Sequence, residues 1–415
     1  MRQLLLLTCL CMSSAWADGE FKSNSALLDQ IQIEGLRRTA ESVVLQELLV
    51  EPGKTISEKQ LDESLRRLRN LRIFSRVEPE VTNTGDNNVT LITRVEEKWT
   101  TVPILRASSG GGANYFVVGA YDINTFGKYK ELGGQYENYN GEHSAVVWYR
   151  NPRFMRQRLR FGLDIWSVSR PYVQYDKLAQ PQLSFLLNRK KLNTFFDWEL
   201  RSWLRLGLGL ELNRDTLKNI ADGQDIYKSD ANIARLSATL GQIDYDNYLL
   251  QGMQATVTIE NALAYSASQE KFLRIISENQ LYFILPWRSN LAMNLRLGYT
   301  DSEALQHVFY LGGLENIRAY YDTQFQTQAF WQYNTEYRIP SFRNSWLVLQ
   351  HTFFVDALQI MQGYTHSNPS PIYASAGMGI RLISPKVYRL TLRLDIALPS
   401  HQGGSVFSMG AQQFF

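Results

Sequence analysis

The chain has 415 residues, of which 44% are apolar, 12% aromatic and 20% charged. Its mean hydropathy of -0.27 is too low for a bundle of membrane helices, and no apolar run beyond the first twenty residues reaches the roughly 18 residues of a spanning helix. The formal net charge of +3 gives no electrostatic reason to expect nucleic-acid binding. This composition excludes a polytopic helical transporter and leaves a soluble β protein or a transmembrane β-barrel, whose alternating strands have low mean hydropathy.

The amino terminus is typical of a bacterial secretory signal peptide. A basic residue precedes a short apolar run, and Ala15 and Ala17 form an A-x-A cleavage site. We therefore predict a signal peptide over residues 1–17, because the run is too short for a membrane anchor. Both cysteines, Cys9 and Cys11, lie within it, so the mature chain is expected to contain no disulfide and no cysteine–zinc site.

Residues 26–98 are predicted to form a small α/β domain. Alternation over 31–36 predicts a strand, and helical spacing over 40–49 predicts a helix that Glu-Pro-Gly ends. Ser57, with Gln60 three residues later, predicts the N-cap of a second helix. Two strand-like runs follow, joined by an Asn- and Gly-rich hairpin: 74–81 and 89–95. The predicted order is β-α-α-β-β.

From residue 99 to 415 the helical period gives way to a period of two. Over 205–212, for example, leucine alternates with charged residues or glycine. A soluble sandwich with one wet face is one interpretation. A membrane barrel is favoured by the charge and glycine of the polar faces, by aromatic residues near the ends of runs, and by an alternating last run that ends in Phe415, as in bacterial outer-membrane barrels.

The predicted barrel has about sixteen antiparallel strands. An even number is needed if both ends of the barrel lie in the periplasm, so the long run at 180–201 is taken as one strand with its loop. The predicted strands lie near 100–107, 113–121, 130–140, 143–150, 158–169, 180–201, 203–213, 230–242, 252–265, 272–285, 290–301, 325–339, 345–358, 372–383, 388–398 and 404–415.

Ordered motifs resemble the BamA/TamA-type outer-membrane assembly superfamily. The segment LGGLENIRAY at 311–320 resembles the signature GG…(V/I)RG(F/Y), 334–338 is similar to N-x-E-x-R, and 353–357 is similar to the start of FxDxG. Further matching segments lie at 122–127, 149–154, 375–381, 384–385 and 395–399. The domain at 26–98 resembles one polypeptide-transport-associated (POTRA) domain, so the resemblance covers almost the whole mature chain.

The resemblance implies a loop that folds back into the barrel lumen. The residues that match its signature are Gly312, Gly313, Arg318 and Tyr320. By resemblance, Arg318 would pair with Glu336 and Asp356, since a guanidinium has a rigid fork of five donors that can bridge two carboxylates. The alternative is that Arg318 is a solvated loop cation with little effect on stability.

Three positions depart from the family pattern. Ala319 stands where the family has a glycine after the arginine, and an alanine costs about 1 kcal/mol or more if that position needs a positive φ. Leu358 stands at the glycine of FxDxG, and Gln413 stands where an aromatic residue is usual. The change at Ala319 predicts a loop tip that is docked less tightly than in the family.

The sequence contains none of the common catalytic or nucleotide-binding motifs. The patterns G-x-S-x-G, H-E-x-x-H and G-x-x-x-x-G-K-[ST] are absent, so we expect no enzyme, cofactor or metal site. The resemblance implies a protein of the bacterial outer membrane, with its POTRA domain in the periplasm, that assists insertion or translocation of polypeptides. Expected partners are unfolded outer-membrane or secreted polypeptides bound by the POTRA domain, outer-membrane lipid, and accessory assembly proteins.

The first and last strands are predicted to meet at a weak seam. Pro103 removes a backbone donor from the first strand, while Gly410 and Phe415 belong to the last strand and its terminal signal. Two other functions remain open. One is dedicated two-partner-type secretion, although such exporters commonly carry two POTRA domains. The other is a passive pore, for which inward arginines at 158, 160, 205 and 296 predict a preference for anions.

Overall fold

The computed structural model describes residues 26–85, 88–110, 113–175, 181–246, 248–263, 270–313, 316–362, 368–387, 390–401 and 403–411. The predicted signal peptide with Ala15 and Ala17, as well as Gln413 and Phe415, lies outside these residues. Within the described part of the chain, no helix is both long enough and apolar enough to cross a membrane.

The N-terminal domain is a three-stranded sheet with two helices in the predicted order. Its elements are β1 (Leu27–Glu34), α1 (Glu41–Leu45), α2 (Glu58–Asn70), β2 (Phe74–Gly85) and β3 (Asn88–Glu97). β3 is central, with β1 parallel to it on one side and β2 antiparallel on the other. Leu65 and Leu68 of α2 are fully buried in a core with Leu28 and Leu91 of the sheet. Both β1 and β2 are therefore edge strands.

The first helix is shorter than the sequence predicted. α1 ends at Leu45 instead of continuing to residue 49, and the chain then turns so that both Leu48 and Val50 reach the core. The Leu49 backbone N–H, no longer in a helix, donates to the Ser64 hydroxyl at 2.8 Å. Ser57 stands at the N-cap of α2 as predicted, but its side chain makes no capping hydrogen bond.

The remainder of the chain forms a closed antiparallel barrel. The strands are β4 (Thr101–Gly110), β5 (Ala113–Asp122), β6 (Glu131–Tyr139), β7 (Glu142–Asn151), β8 (Leu159–Tyr175), β9 (Pro181–Arg201), β10 (Leu204–Asn219), β11 (Asp225–Asp246), β12 (Leu249–Leu263), β13 (Phe272–Leu285), β14 (Ser289–Thr300), β15 (Phe309–Leu311), β16 (Phe325–Thr327), β17 (Ala329–Arg343), β18 (Val348–Gln362), β19 (Asn368–Pro369), β20 (Tyr373–Ile383), β21 (Thr391–Pro399) and β22 (Val406–Ala411).

Sixteen of these strands form the barrel wall over the described residues. β15 and β16 are a separate two-stranded hairpin, and β19 only extends the pairing at the end of β18. β22 lies next to β4 and closes the ring. The predicted strand number is confirmed, and the stretch at 181–201 is one strand as predicted.

The two faces of the strands differ as a membrane barrel requires. On β10, Leu206, Leu208 and Leu212 are 40–59% exposed on the outer surface. Their neighbours Glu211 and Asp215 are buried at 3% and 1% exposure on the inner side. An apolar exterior around a charged interior confirms the barrel and excludes the soluble sandwich, in which the charged face would be the wet one.

Candidate functional site in the barrel lumen

A long loop between β14 and β17, residues 301–328, folds back into the lumen and carries the β15–β16 hairpin. Its turn depends on two glycines with positive φ. At Gly312 (φ 131°) a Cβ would lie 2.1 Å from the Tyr321 carbonyl oxygen, and at Gly313 (φ 69°) it would lie 2.8 Å from the Asp322 carboxylate. Only glycine fits such close approaches. The turn brings Arg318 and Tyr320 to the barrel wall.

Arg318 is buried at 1% exposure and bridges two carboxylates. Its Nε and Nη2 donate to the two oxygens of Asp356 at 2.8 and 2.7 Å, and its Nη1 donates to Glu336 Oε1 at 2.8 Å. The guanidinium carbon also lies 3.4 Å from the centre of the Phe354 ring. This geometry uses the planar fork of arginine on one side and its affinity for an aromatic face on the other.

Arg318 joins a larger buried network that the sequence analysis did not assign. Arg381 donates to Glu336 at 3.0 Å and to Asp395 at 2.6 Å, while Arg338 donates to the second Glu336 oxygen at 2.8 Å. All of these residues are at most 1% exposed. They come from β17, β18, β20 and β21, so one arginine of the loop is fastened to four consecutive strands.

The first limb of the loop, residues 306–310, is attached to a different part of the barrel wall. The Gln306 carbonyl accepts from Arg189 of β9 at 3.0 Å, and His307 lies 2.5 Å from the Glu270 carboxylate and stacks on Phe272. Tyr310 packs against the aromatic rings of β8 and β9. The described part of the loop therefore crosses the lumen, from β8–β13 on one side to β17–β21 on the other.

The structure shows the surroundings of positions 319 and 358, two of the positions at which the chain departs from the family pattern. Ala319 has φ 71°, so this position does need the left-handed conformation that glycine favours. Leu358 is fully buried and belongs to an apolar cluster with Ile317 and Tyr320 of the loop. The Tyr320 hydroxyl also donates to the Ala374 carbonyl at 3.0 Å. The loop tip thus combines a strained residue with added apolar packing.

The predicted seam residues lie in short strands. Pro103 points outward in β4 and is opposite Ala120 of β5. Gly410 is buried in β22 opposite Arg393 of β21. Among the wall ladders whose register is described, the β21–β22 ladder has the fewest pairs, six, and residues 412–415 beyond it lie outside the described part of the chain.

The N-terminal domain is docked on the periplasmic turns of the barrel. Glu47, at 2% exposure, accepts from Arg153 of the β7–β8 turn at 2.6 and 2.7 Å. Burial alone would lower the pKa of Arg153, but the hydrogen bond and charge of Glu47 outweigh it and raise the pKa. In the β5–β6 turn, Asn124 donates to Thr39 at 2.9 Å, and the Gly127 carbonyl accepts from the Ala40 N–H at 2.9 Å.

The opposite side of the domain is docked as well. Asn70 donates to Asp244 at the β11–β12 turn at 2.9 Å, and Arg72 lies 3.0 Å from the centre of the Tyr245 ring. Near the β20–β21 turn, the Trp99 N–H donates to the Lys386 carbonyl at 3.0 Å. Because these turns are distributed around the ring of strands, the domain lies across the periplasmic mouth of the barrel.

Among the described residues, no three His, Cys, Asp or Glu side chains are grouped so that they could hold a metal ion. The carboxylates of the lumen are engaged instead by guanidinium groups. The chemistry of this site is therefore ion pairing that holds a loop in place.

Comparison with protein families identifies this arrangement. The model of the Omp85 superfamily domain matches residues 124–415, and a POTRA model described as surface antigen variable number repeat matches residues 26–98. The chain belongs to the Omp85 superfamily. This Omp85 protein lies in the outer membrane with its POTRA domain in the periplasm, as predicted, and POTRA domains of the family bind polypeptides and partner proteins.

Similar proteins carry names that concern outer-membrane assembly. Outer membrane protein assembly factor BamA of Nitratidesulfovibrio vulgaris is 24% identical over 325 residues, which are 72% of this chain and 38% of that protein. BamA of Neorickettsia risticii is 25% identical over 252 residues, 59% of this chain and 33% of that protein. This Omp85 chain thus spans little more than a third of the curated relatives that it matches.

Two solved structures share the fold. BamA from Haemophilus ducreyi lacking POTRA domains 1–3 has a TM-score of 0.56 at 15% identity, covering 92% of this chain and 84% of the other. CdiB from Acinetobacter baumannii has a TM-score of 0.63 at 13% identity, covering 94% and 74%. The predicted fold of one POTRA domain followed by a sixteen-stranded Omp85 barrel is confirmed.

Proposed function

We propose that this Omp85 protein assists insertion or translocation of other polypeptides at the outer membrane. The observation that carries the proposal is a cavity of about 680 Å³ between the POTRA domain and the barrel rim. The start of the edge strand β2, Phe74–Glu78, lines one side of it, and the inward side chains Tyr282 and Ile383 line the other. An unfolded chain bound in this cavity would be in contact with both domains.

The exposed edge of β2 is suited to bind an extended polypeptide. An edge strand presents unpaired backbone groups that a client can extend by strand addition. Pro79 interrupts the donors of β2 and divides its edge into residues 80–85 and the segment Phe74–Glu78. This segment is the part that faces the cavity.

The cavity is also cationic. Arg69, Arg72, Arg76 and Lys98 line it together with the carboxylates of Glu78 and Asp246. Burial and the neighbouring charge of Arg72 lower the pKa of Lys98 to about 8. A lysine with a depressed pKa is stabilised by an added negative charge, so acidic or carboxylate-bearing client segments fit this surface best.

The lumen loop and the seam have different parts in this proposal. The network around Arg318, Glu336 and Asp356 would hold the loop with Gly312, Gly313 and Tyr320 inside the lumen. The seam between β22 and β4, which contain Gly410 and Pro103, would open and template a client strand. No nucleotide-binding motif is present in the sequence, so client folding would supply the driving force, and the protein would act without catalysing a covalent reaction.

Quantitative proteomics of the outer-membrane and secreted fractions, with and without the gene, tests the proposal. Complementation should use the wild-type gene, the cavity variant Arg76→Glu/Lys98→Glu, and the control Lys54→Glu/Lys59→Glu on exposed POTRA positions. We expect several barrel proteins to fall in the deletion and in the cavity variant but not in the control. The loss of one secreted protein would indicate dedicated secretion instead. An unchanged proteome in all strains would favour the passive pore.

A further inference from the structure

The outer wall of the barrel has a groove that is separate from the lumen and from the POTRA domain. It crosses β7 to β11 and has a volume of about 790 Å³. Its floor is apolar, with Val147, Ile165, Leu192 and Leu212 all 40–56% exposed on the outer surface. Ala145 and Ser167, two small side chains that are opposite each other in the ladder, lie beside them.

The register of the strands places a row of polar groups directly beyond this floor. Ser167 of β8 is opposite Lys190 of β9, Lys190 is opposite Arg214 of β10, and Arg214 is opposite Asp230 of β11. The preceding outward row is Ile165, Leu192, Leu212 and Asn232. The wall therefore changes from apolar to cationic within one step of two residues.

This boundary lies toward the cell exterior. The POTRA domain binds the turn before β8 and the turn after β11, which fixes those turns as periplasmic. Lys190 is eleven residues from the periplasmic end of β9 at Arg201, and Arg214 is ten residues from the start of β10 at Leu204. About ten residues of a tilted strand span the hydrocarbon layer. The row containing Lys190 and Arg214 consequently lies at the level of the outer-leaflet headgroups.

Two cations in this row are unfavourable neighbours in the free protein. Like charges directly opposite each other on antiparallel strands repel. Among the described residues Lys190 makes no ion pair, while the Arg214 side chain, 78% exposed, has Asp230 at 3.3 Å. Beyond them, Lys218 and Lys228 share Asp225. Above the groove, the outward groups of β9 to β11 thus comprise four cations and two carboxylates, and Glu142 of β7 adds a third carboxylate that accepts from Ser169 at 2.6 Å, so a small excess of positive charge remains.

We propose that this groove binds a phosphorylated glycolipid of the outer leaflet. The phosphate would lie between Lys190 and Arg214 and relieve their repulsion, because charge-assisted hydrogen bonds to a phosphate are among the strongest in proteins. The acyl chains would lie on Val147, Ile165, Leu192 and Leu212, next to the small residues Ala145 and Ser167. A glycolipid of the outer leaflet, with several acyl chains and exposed phosphates, matches both the width of the groove and its position.

Titration of the purified, delipidated full-length protein with diphosphoryl lipid A, followed by native mass spectrometry in neutral detergent, tests this site. We expect Lys190→Gln/Arg214→Gln to weaken lipid A binding by about tenfold or more. Lys128→Gln/Lys130→Gln, at the periplasmic end of the barrel, should leave binding unchanged. Ala145→Trp keeps both cations but fills the groove, and should weaken binding as well.

The same titration contains the outcomes that would overturn the proposal. Equal affinity of the wild type and Lys190→Gln/Arg214→Gln would exclude the cation pair as the phosphate site. Equal affinity for phosphatidylglycerol would mean that the groove takes any anionic lipid and does not select a glycolipid. Heat-modified migration in gel electrophoresis establishes that each variant is folded, so a loss of binding cannot come from a misfolded barrel.

Discussion

At the residue scale, Arg318 shows why a buried charge network fixes a position. Removing one partner of a buried ion pair leaves uncompensated charges away from solvent, which typically costs about 3–5 kcal/mol. Asp356 and Glu336 are fully buried, and Arg318 supplies four of the hydrogen bonds that they accept, three from its guanidinium and one from its backbone N–H. The network therefore specifies where the loop lies more than it increases stability.

Arg318→Ala is predicted to lower the melting temperature and to release the loop. Limited proteolysis of the folded barrel should then cut within residues 301–328, a segment that the wild type protects. Arg318→Lys should give an intermediate result, because lysine keeps the charge but lacks the fork that bridges two carboxylates. An unchanged digestion pattern for Arg318→Ala would mean that the other wall contacts of the loop, such as those of Tyr320 and of Asp322 with Tyr139, are enough to hold it.

Ala319→Gly is predicted to stabilise the loop tip. Ala319 adopts φ 71°, where alanine is disfavoured relative to glycine by about 1 kcal/mol. The melting temperature should rise slightly and hydrogen exchange of the loop amides should slow. Ala329→Gly, at the start of the regular strand β17, is the control and should destabilise. A lower melting temperature for Ala319→Gly would show that the methyl group's packing against Phe354 and Ala397 matters more.

The core of the lumen site could be predicted because its residues stand in ordered motifs. Arg318, Glu336 and Asp356 were assigned from motifs alone, and the structure places them together. Arg381 and Asp395 were in quoted motifs but were not assigned to the site. Their meeting depends on the β20–β21 register, in which Asp395 is opposite Gly379, two residues from Arg381. Sequence spacing does not reveal the register of two strands.

At the scale of elements, strands were easier to predict than helix ends. The period of two persists along each barrel strand because one face meets lipid and the other a charged lumen, so the alternation is unbroken. The end of α1 was harder to predict. Leu48 and Val50 are buried in the core although they lie in the turn after the helix, and the apolar character of Leu48 suggested a longer helix. Glu47 was missed for the same reason: an acidic residue near a helix end is usually solvated, and here its partner is Arg153, 106 residues away.

Glu47→Lys is predicted to loosen the POTRA domain from the barrel. The change places a like charge against Arg153, at a position where the Glu47 side chain is only 2% exposed. Spin-label distances between the POTRA domain and the barrel should broaden, and the charge swap Glu47→Arg/Arg153→Glu should restore a single distance. Glu51→Lys reverses a charge at an exposed position nearby and should change nothing. A narrow distribution in Glu47→Lys would indicate that the Thr39 and Ala40 contacts suffice.

At the scale of the whole molecule, the expected anion preference of a passive pore loses its basis. Arg158 pairs with Glu199 at 3.3 Å, Arg296 with Glu278 at 3.2 Å, and Arg160 with Asp197. Arg205 donates to Gln254 at 3.0 Å. Three of these four arginines are paired with carboxylates and the fourth with a neutral amide, so they do not form the unpaired cationic lining on which that preference depended, and the loop crosses the same space.

The intact protein is predicted to conduct poorly and without marked ion selectivity. The loop occupies the lumen and the POTRA domain covers its periplasmic mouth, so both must move before ions pass. In planar bilayers, Glu47→Lys combined with Arg318→Ala should raise the single-channel conductance well above that of either single variant. A large, steady conductance in the wild type would contradict this account of the closed lumen.

The unequal lengths of the wall strands also determine how the protein would respond to mechanical force. β8 to β11 have 16 to 22 residues each, whereas β22 has six in the described part. Pulling on the C-terminus would load β22 first, through its residue pairs with β21 and its contacts with β4, and these would break one after another. The same pull on the long strands would have to break many hydrogen-bonded residue pairs at once. A single molecule stretched from its C-terminus should therefore unfold strand by strand, beginning with β22, and the long strands β8 to β11 should detach last.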